Sequence, residues 1–149
     1  MSMTKQNKYK VLPKAERTYN GIVFHSKAEM TRYATLLQWK LAGQVRNIRR
    51  QVAFDLAFAH PAVGTIAVKG KNNRCLQYVA DFVYERKEQL TQMSHGYDKE
   101  VWREVIEDVK GMKGVGAFKI AVFEALTGAT VNIVRVASSP KKRWKPRAK

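Results

Sequence analysis

The chain has 149 residues, of which 45% are hydrophobic and 10% aromatic, so it can bury the core of one domain and is not disordered as a whole. Its 28 lysines and arginines outnumber 12 acids, and the resulting net charge of +16 is best explained by a polyanionic partner. A single cysteine and three histidines without metal-ligand spacing exclude an intrachain disulfide and a cysteine-built zinc site.

Hydropathy bears on the location of the protein. No stretch approaches about 18 uninterrupted apolar residues, and the first ten residues, MSMTKQNKYK, lack the apolar segment of a secretory signal. We therefore expect a soluble protein that works inside the cell and has no membrane partner.

Most of the excess positive charge lies at the two ends of the sequence. Residues 1–17 supply four units of the net charge and residues 140–149 supply six, which leaves +6 for residues 18–139. This distribution predicts one folded domain over 18–139 between flexible basic arms. Such arms can contact phosphates without reading base sequence, or they can serve as solubilising or localisation tails, and charge alone does not separate these roles.

The first half of the domain combines one helix with several strands. Residues 21–25 predict a short strand, after which Ser26 is a typical N-cap of a helix that ends at Gly43. Alternating large apolar residues predict a strand over 51–58. Residues 65–69 and 75–85 flank turn residues and predict a hairpin.

The second half predicts strand, helix and strand. Residues 86–100 are polar and predicted irregular, and 101–110 predict a strand. Residues 116–128 predict a helix with Phe118, Val122 and Leu126 on one face, and 130–136 predict a last strand. The order indicates an α/β domain with a central mixed sheet flanked by helices. We expect the bulky aromatic residues Trp39, Trp102 and Phe118 to belong to the core.

Acids are scarce, so an acid within an apolar segment is informative. Asp81 lies inside YVADFVY, where an ionised carboxylate costs several kcal/mol unless a cation or a hydrogen-bond donor meets it. Asp81 is therefore either a functional acid, a member of a salt bridge, or a residue at a solvent-facing strand end.

A second acidic motif is IEDVKG, residues 106–111. On a strand, Asp108 and Lys110 project from one face while Glu107 and Val109 project from the other. This triplet is common on solvated strands, but here a second strand carries an isolated acid in a strongly basic protein. Two carboxylates on neighbouring strands can hold Mg²⁺, and an adjacent lysine can steady the attacking water and the phosphate charge.

Glu29 admits two interpretations. Ser26 and Glu29 form the S-x-x-E pattern of a capping box. The same helix can instead turn Glu29 toward the sheet as a third carboxylate of a metal site. Spacing alone leaves both interpretations open.

In GIVFHSKAEMTRY, YVADFVYE and VIEDVKG, taken in that order, the sequence resembles nucleases of the PD-(D/E)XK superfamily. Within it, the sequence is most similar to a small phage-encoded family with Holliday-junction-resolvase character, over roughly residues 18–136. The resemblance implies a restriction-endonuclease-like core. It implies that Asp81, Asp108 and the Val109 carbonyl ligate Mg²⁺ or Mn²⁺. It further implies that Glu29 completes the metal site and that Lys110 orients or activates the attacking water.

Other residues are candidates for contacts with nucleic acid. By resemblance, Gln51 lies where related nucleases sometimes carry a polar active-site residue. Basic residues near the expected site or in the C-terminal tail can hold phosphates, although each alone is more commonly a solvated charge: Lys27, Arg32, Lys113, Lys119, Lys141, Lys142 and Arg143.

We therefore expect a Mg²⁺- or Mn²⁺-dependent endodeoxyribonuclease that leaves 5′-phosphate and 3′-hydroxyl ends in branched DNA, with a Holliday junction as first choice. Symmetric cleavage of a junction implies a homodimer. By resemblance, the enzyme would act in phage DNA recombination or replication, in the host cytoplasm. Two alternatives remain: a nuclease of the same chemistry acting on flaps, nicks or duplex, and a basic nucleic-acid-binding protein without catalysis.

Overall fold

Ten elements of regular structure follow a short 3-10 helix in the computed structural model, which describes residues 12–91, 98–109 and 115–136. The short helix spans Lys14–Arg17. The elements that follow are, in chain order, β1 (Thr18–Tyr19), β2 (Ile22–Val23), α1 (Lys27–Leu41), β3 (Val45–Asp55), β4 (Ala57–His60), β5 (Gly64–Ala67), β6 (Gln77–Thr91), β7 (Asp98–Val109), α2 (Val115–Thr127) and β8 (Val131–Val134).

Four strands form the central sheet, in the order β3-β6-β7-β8. The β3/β6 and β6/β7 pairs are antiparallel, whereas β7 and β8 are parallel and are connected through α2. Two small antiparallel pairs, β1/β2 and β4/β5, complete the described part of the chain. The sheet is therefore mixed, and the predicted α/β architecture is confirmed.

The two helices cover opposite faces of this sheet. Phe82 and Tyr84 pack in one hydrophobic cluster with Leu36 of α1, whereas Val83 packs in another cluster with Phe123 of α2. Successive strand residues point to opposite faces, so the centre of β6 is buried on both sides. This explains why its sequence is a nearly continuous apolar run and does not alternate.

The helix predicted after Ser26 is confirmed. The Ser26 side chain accepts a hydrogen bond from the N–H of Glu29, and α1 ends at Leu41, shortly before Gly43, which has a φ of 69°. That left-handed conformation is one that glycine adopts without steric cost.

The irregular structure predicted for 86–100 is wrong where the chain is described. β6 continues to Thr91, and β7 already begins at Asp98. Charged pairs across the two strands, such as Lys87 with Glu100 and Arg103 with Glu88, lie along this extension. A ladder whose side chains are charged has no apolar periodicity, which is why the sequence did not reveal it.

The predicted hairpin of 65–69 with 75–85 forms only beside its turn, where the Leu76 N–H donates to the Val68 carbonyl, and does not continue along the two strands. β5 pairs with β4, and its continuation meets the segment before β6 in one bridge, between Lys69 and Cys75. Buried Leu56 separates β3 from β4, with its N–H bonded to the Leu76 carbonyl and its carbonyl accepting from the Val68 N–H. This junction lets one continuous predicted strand take two different partners.

On α2 the predicted apolar face is only partly right. Phe118 is 65% exposed, whereas Ile120 and Phe123 are the residues that the helix buries. Val122 and Leu126 pack at the edge of the same cluster. Trp39 packs beside the cluster under α1. The centre of the Trp102 ring lies 4.3 Å from the guanidinium carbon of Arg46. Phe118 is thus wrongly predicted as a core residue.

The predicted arms are described only in part. Residues 14–17 form the short helix, and the Arg17 side chain donates to the carbonyls of Leu12 and Phe24. The end of the predicted N-terminal arm therefore folds onto the domain. The C-terminal residues Lys141, Lys142 and Arg143 lie outside the described residues. None of the helices in the described part is both long and apolar enough to span a bilayer.

Candidate active site

Three predicted carboxylates come together beside the centre of the sheet: Glu29 in the first turn of α1, Asp81 on β6 and Asp108 near the end of β7. Glu29 and Asp81 line one cleft, and Asp81 accepts a hydrogen bond from the N–H of Val109, the residue that follows Asp108. The negative charge of Asp81 raises the pKa of both Glu29 and Asp108, and Glu29 also raises the pKa of Asp108. Like charges raise one another's pKa in this way only when they are close.

Asp81 occupies a point where the strand alternation breaks. Ala80 and Phe82 are two residues apart, yet they pack in clusters on opposite faces of the sheet. On β3, Arg50 pairs with Phe82 and Val52 with Ala80, while the intervening Gln51 has a left-handed φ of 50°. This irregularity frees the Asp81 side chain from both hydrophobic clusters.

Hydrogen bonds from two neighbouring strands fix the Asp81 carboxylate. Gln51 Nε2 donates to Oδ1 over 3.1 Å, and the Val109 N–H donates to Oδ2 over 2.8 Å. Within the described chain, no lysine, arginine or histidine forms an ion pair with Asp81. The salt-bridge explanation of this acid is therefore not realised there, and neutral donors meet the carboxylate.

Asp108 is the most deeply buried acid of the cluster, at 1% exposure. Its Oδ2 accepts a hydrogen bond from the Tyr78 hydroxyl over 3.3 Å, whereas its buried Oδ1 has no partner among the described residues. Burial first, and then the charge of Asp81, raises the pKa of Asp108 to about 6. An ionised carboxylate in this position is costly until a cation or another donor reaches it.

Glu29 takes part in the helix cap and also lies in the acidic cluster. Its Oε1 accepts from the Ser26 hydroxyl over 3.0 Å and its Oε2 accepts from the His25 N–H over 3.2 Å, so it caps the helix. It is also buried to 9% exposure beside Asp81, and burial is the largest cause of its raised pKa. Capping and membership of the acidic cluster thus coexist in one side chain.

Glu107 lies on the opposite face of β7 from Asp108. It accepts bonds of 2.8 Å from both Nε and Nη2 of Arg32 and one of 2.9 Å from the Tyr84 hydroxyl. The guanidinium of Arg32 also lies 4.7 Å from the centre of the Trp39 ring. A phosphate contact by Arg32 would break this buried ion pair, so the arrangement favours a structural role that ties α1 to β7.

The remaining predicted residues are distributed as follows. Lys27 is exposed at the first position of α1, and Lys119 is half-buried on α2. Lys110, the predicted catalytic lysine, and Lys113 lie outside the described residues. Val109 is described, and its N–H binds Asp81.

Two residues that the sequence analysis missed line the same cleft as Glu29, Gln51 and Asp81. They are His25 and Arg50, and the cleft has a volume of about 30 Å³, which is sufficient for a water molecule. His25 Nδ1 lies 3.7 Å from Glu29 Oε2. No local pattern in the sequence distinguishes Arg50 from the neighbouring Arg49.

The donor set suits a hard divalent cation by its chemistry. All three groups are carboxylates, and the unpartnered Oδ1 of Asp108 is a buried oxygen that a cation can satisfy. In the conformation of the described residues, no three histidine, cysteine, aspartate or glutamate side chains converge closely enough to hold a metal ion. The three carboxylates would therefore have to move closer together to share one cation.

The model of the family described as "Protein of unknown function (DUF1064)" matches residues 6–141. No curated protein and no solved structure shows significant similarity to the chain.

Proposed function

The chain thus belongs to the DUF1064 family, and we propose that it is a metal-dependent endonuclease that hydrolyses phosphodiester bonds in branched DNA. The observation that carries this proposal is the cluster of Glu29, Asp81 and Asp108 in a protein of net charge +16. Carboxylates repel the phosphates of a polyanion, so a protein that only binds nucleic acid gains nothing by bringing three of them close to one another. A nuclease needs them to hold its cation.

Each acid has a distinct part in the proposed site. A bound Mg²⁺ or Mn²⁺ supplies Lewis acidity toward the phosphate and a water of lowered pKa. Asp81 and Asp108 would hold it, with Glu29 and the Val109 carbonyl as further ligands. Gln51 and the Val109 N–H orient Asp81, and the Tyr78 hydroxyl orients Asp108.

Lys110 is proposed as the residue that steadies the attacking water and the charge of the phosphate. It follows Asp108 by two positions, and β7 is described to Val109. Residues two positions apart on an extended strand project to the same face. A lysine there can donate to the water or to a phosphate oxygen.

A restriction-endonuclease-like fold is part of the proposal. The mixed sheet carries the two aspartates on adjacent antiparallel strands, and the helix with the glutamate covers one face. This combination supports that fold. We also propose a homodimer, because symmetric cleavage of a four-way junction requires two active sites.

The first test is cleavage of a labelled four-way junction and its matched linear duplex, each with Mg²⁺, with Mn²⁺ and with EDTA. We expect paired, metal-dependent nicks near the branch point. Equal cleavage of both substrates would support the nuclease chemistry but indicate another substrate class, namely duplex, flap or nicked DNA. Binding without cleavage under either metal would leave a basic nucleic-acid-binding protein.

A further inference from the structure

We propose, on the premise of the function above, that Arg50 forms a binding subsite for a DNA phosphate beside the acidic cluster. Arg50 lies on β3 and pairs in register with Phe82, the residue that follows Asp81. Its side chain is exposed and lines the cleft that also contains Glu29 and Asp81. Arg50 therefore borders the cleft that two of the three carboxylates line.

Arg50 differs from the other arginines of the central sheet because no acid of the described residues neutralises its charge. Every other arginine of β3, β6 and β7 forms an ion pair with a glutamate: Arg46 with Glu85, Arg49 with Glu104, and both Arg86 and Arg103 with Glu88. Among the described residues, Arg50 has neither an ion pair nor a side-chain hydrogen bond. Its donors are free to meet a ligand.

Two aromatic rings hold this free guanidinium. Its carbon lies 5.1 Å from the centre of the Phe24 ring and 5.5 Å from that of Tyr33. Tyr33 stacks in turn on Phe82, with ring centres 6.1 Å apart and planes at 12°. Cation–π contacts of this kind fix the group without consuming its N–H donors.

A phosphate is the ligand class that these features fit. A guanidinium presents paired N–H groups that match two phosphate oxygens, and a group held in advance loses little side-chain entropy on binding. The neighbouring carboxylates repel a DNA backbone, and the positive charge of Arg50 offsets part of that repulsion. Arg50 would thus hold the scissile phosphate or one next to it against the acids.

The experiment measures junction binding in EDTA as a function of salt concentration for the wild type, R50M and R49M. Arg49 is the matched control because it is the adjacent residue and is paired with Glu104. For R50M, we expect the negative slope of log K against log salt to become shallower by about 1, as for the loss of one phosphate contact. R49M should change the slope much less.

A second variant and a cleavage measurement complete the test. R50K keeps the charge but loses the planar fork, so it should retain the slope and weaken binding severalfold. Equal slopes for R50M and R49M, or wild-type affinity of R50K, would overturn the phosphate subsite. If the wild type cleaves nothing with either metal while R50M still loses a contact, the nuclease proposal fails and the subsite stands. If the wild type cleaves and R50M behaves like R49M, the phosphate subsite fails and the nuclease proposal stands.

Discussion

Gln51 adopts a left-handed backbone conformation and donates a 3.1 Å hydrogen bond to Asp81. A residue other than glycine, asparagine or aspartate is uncommon in this region, and such strain concentrates at functional sites. Here the strain coincides with the break in alternation that turns Asp81 out of the core. Backbone irregularity and the aspartate therefore form one local feature, and it lies beside the other two acids of the cluster.

Replacing Asp81 with asparagine is expected to abolish cleavage while preserving the fold. Asparagine is nearly isosteric and retains one oxygen for Gln51 or for the Val109 N–H, but it removes the negative charge that a cation requires. We expect a loss in rate on the order of 10²-fold or more. Rates of cleavage and thermal unfolding curves of the two proteins check this.

Asp55 offers the matched control for Asp81. It also lies on the β3/β6 pair and accepts a 2.7 Å bond from a glutamine, Gln77, but it is exposed. D55N should cleave at the wild-type rate. If D81N unfolds, or if D55N loses as much activity, then Asp81 has a structural role and the active site lies elsewhere.

Asp108 is expected to lower the stability of the metal-free protein and to bind the metal ion. Its buried carboxylate has an unpartnered oxygen and two acidic neighbours, so D108N should stabilise the metal-free protein by on the order of 1 kcal/mol at pH 8. Millimolar Mg²⁺ should raise the melting temperature of the wild type and leave that of D108N unchanged. Equal shifts in both proteins would mean that the cation binds at another position.

Local signals account for the parts that the sequence predicted. The cap at Ser26 and the stop at Gly43 act within a few residues, so α1 was predictable from them. Asp81 and Asp108 stand out because an acid in a buried apolar strand is energetically unfavourable without a reason. These two aspartates lie close to Glu29 because they are on adjacent strands and because the helix that carries Glu29 covers those strands.

Pairing between distant segments accounts for the parts that the sequence did not predict. That Glu107 takes both donors of Arg32, 75 positions earlier, has no local signal. The same holds for Arg50, whose selection depends on which arginines find a glutamate across the sheet. Two adjacent arginines in one strand look alike in the sequence, and the register alone distinguishes the neutralised one from the free one.

The Arg32–Glu107 pair is expected to contribute to stability through its burial. Removing one partner leaves an unpaired charge in a position where Glu107 is 1% exposed, so E107Q or R32M should destabilise the fold by about 3–5 kcal/mol. The exposed pair Arg49–Glu104 is the control, and E104Q should cost at most about 1 kcal/mol. Urea unfolding measures both, and equal losses would contradict the role of burial.

Tyr84 is expected to make stability depend on alkaline pH. Burial, and then the charge of Glu107, raises its pKa to about 12. The folded state keeps the phenol proton up to that pH, whereas the unfolded chain releases it at about pH 10. This contribution is therefore complete below about pH 10 and is lost as the pH rises through about 12. Unfolding of the wild type and Y84F at several pH values isolates it, and parallel profiles would contradict it.

Substitutions of Gln51 should separate its backbone conformation from its side chain. Q51A removes the hydrogen bond to Asp81 and keeps the unfavourable φ of 50°, whereas Q51G removes the bond and relieves the strain. We expect Q51G to be more stable than Q51A by about 1 kcal/mol, and both to cleave more slowly than the wild type because Asp81 loses its donor. A Q51A protein with wild-type activity would show that the Val109 N–H alone orients Asp81. If Q51G is the less stable of the two, the left-handed conformation at this position carries no strain.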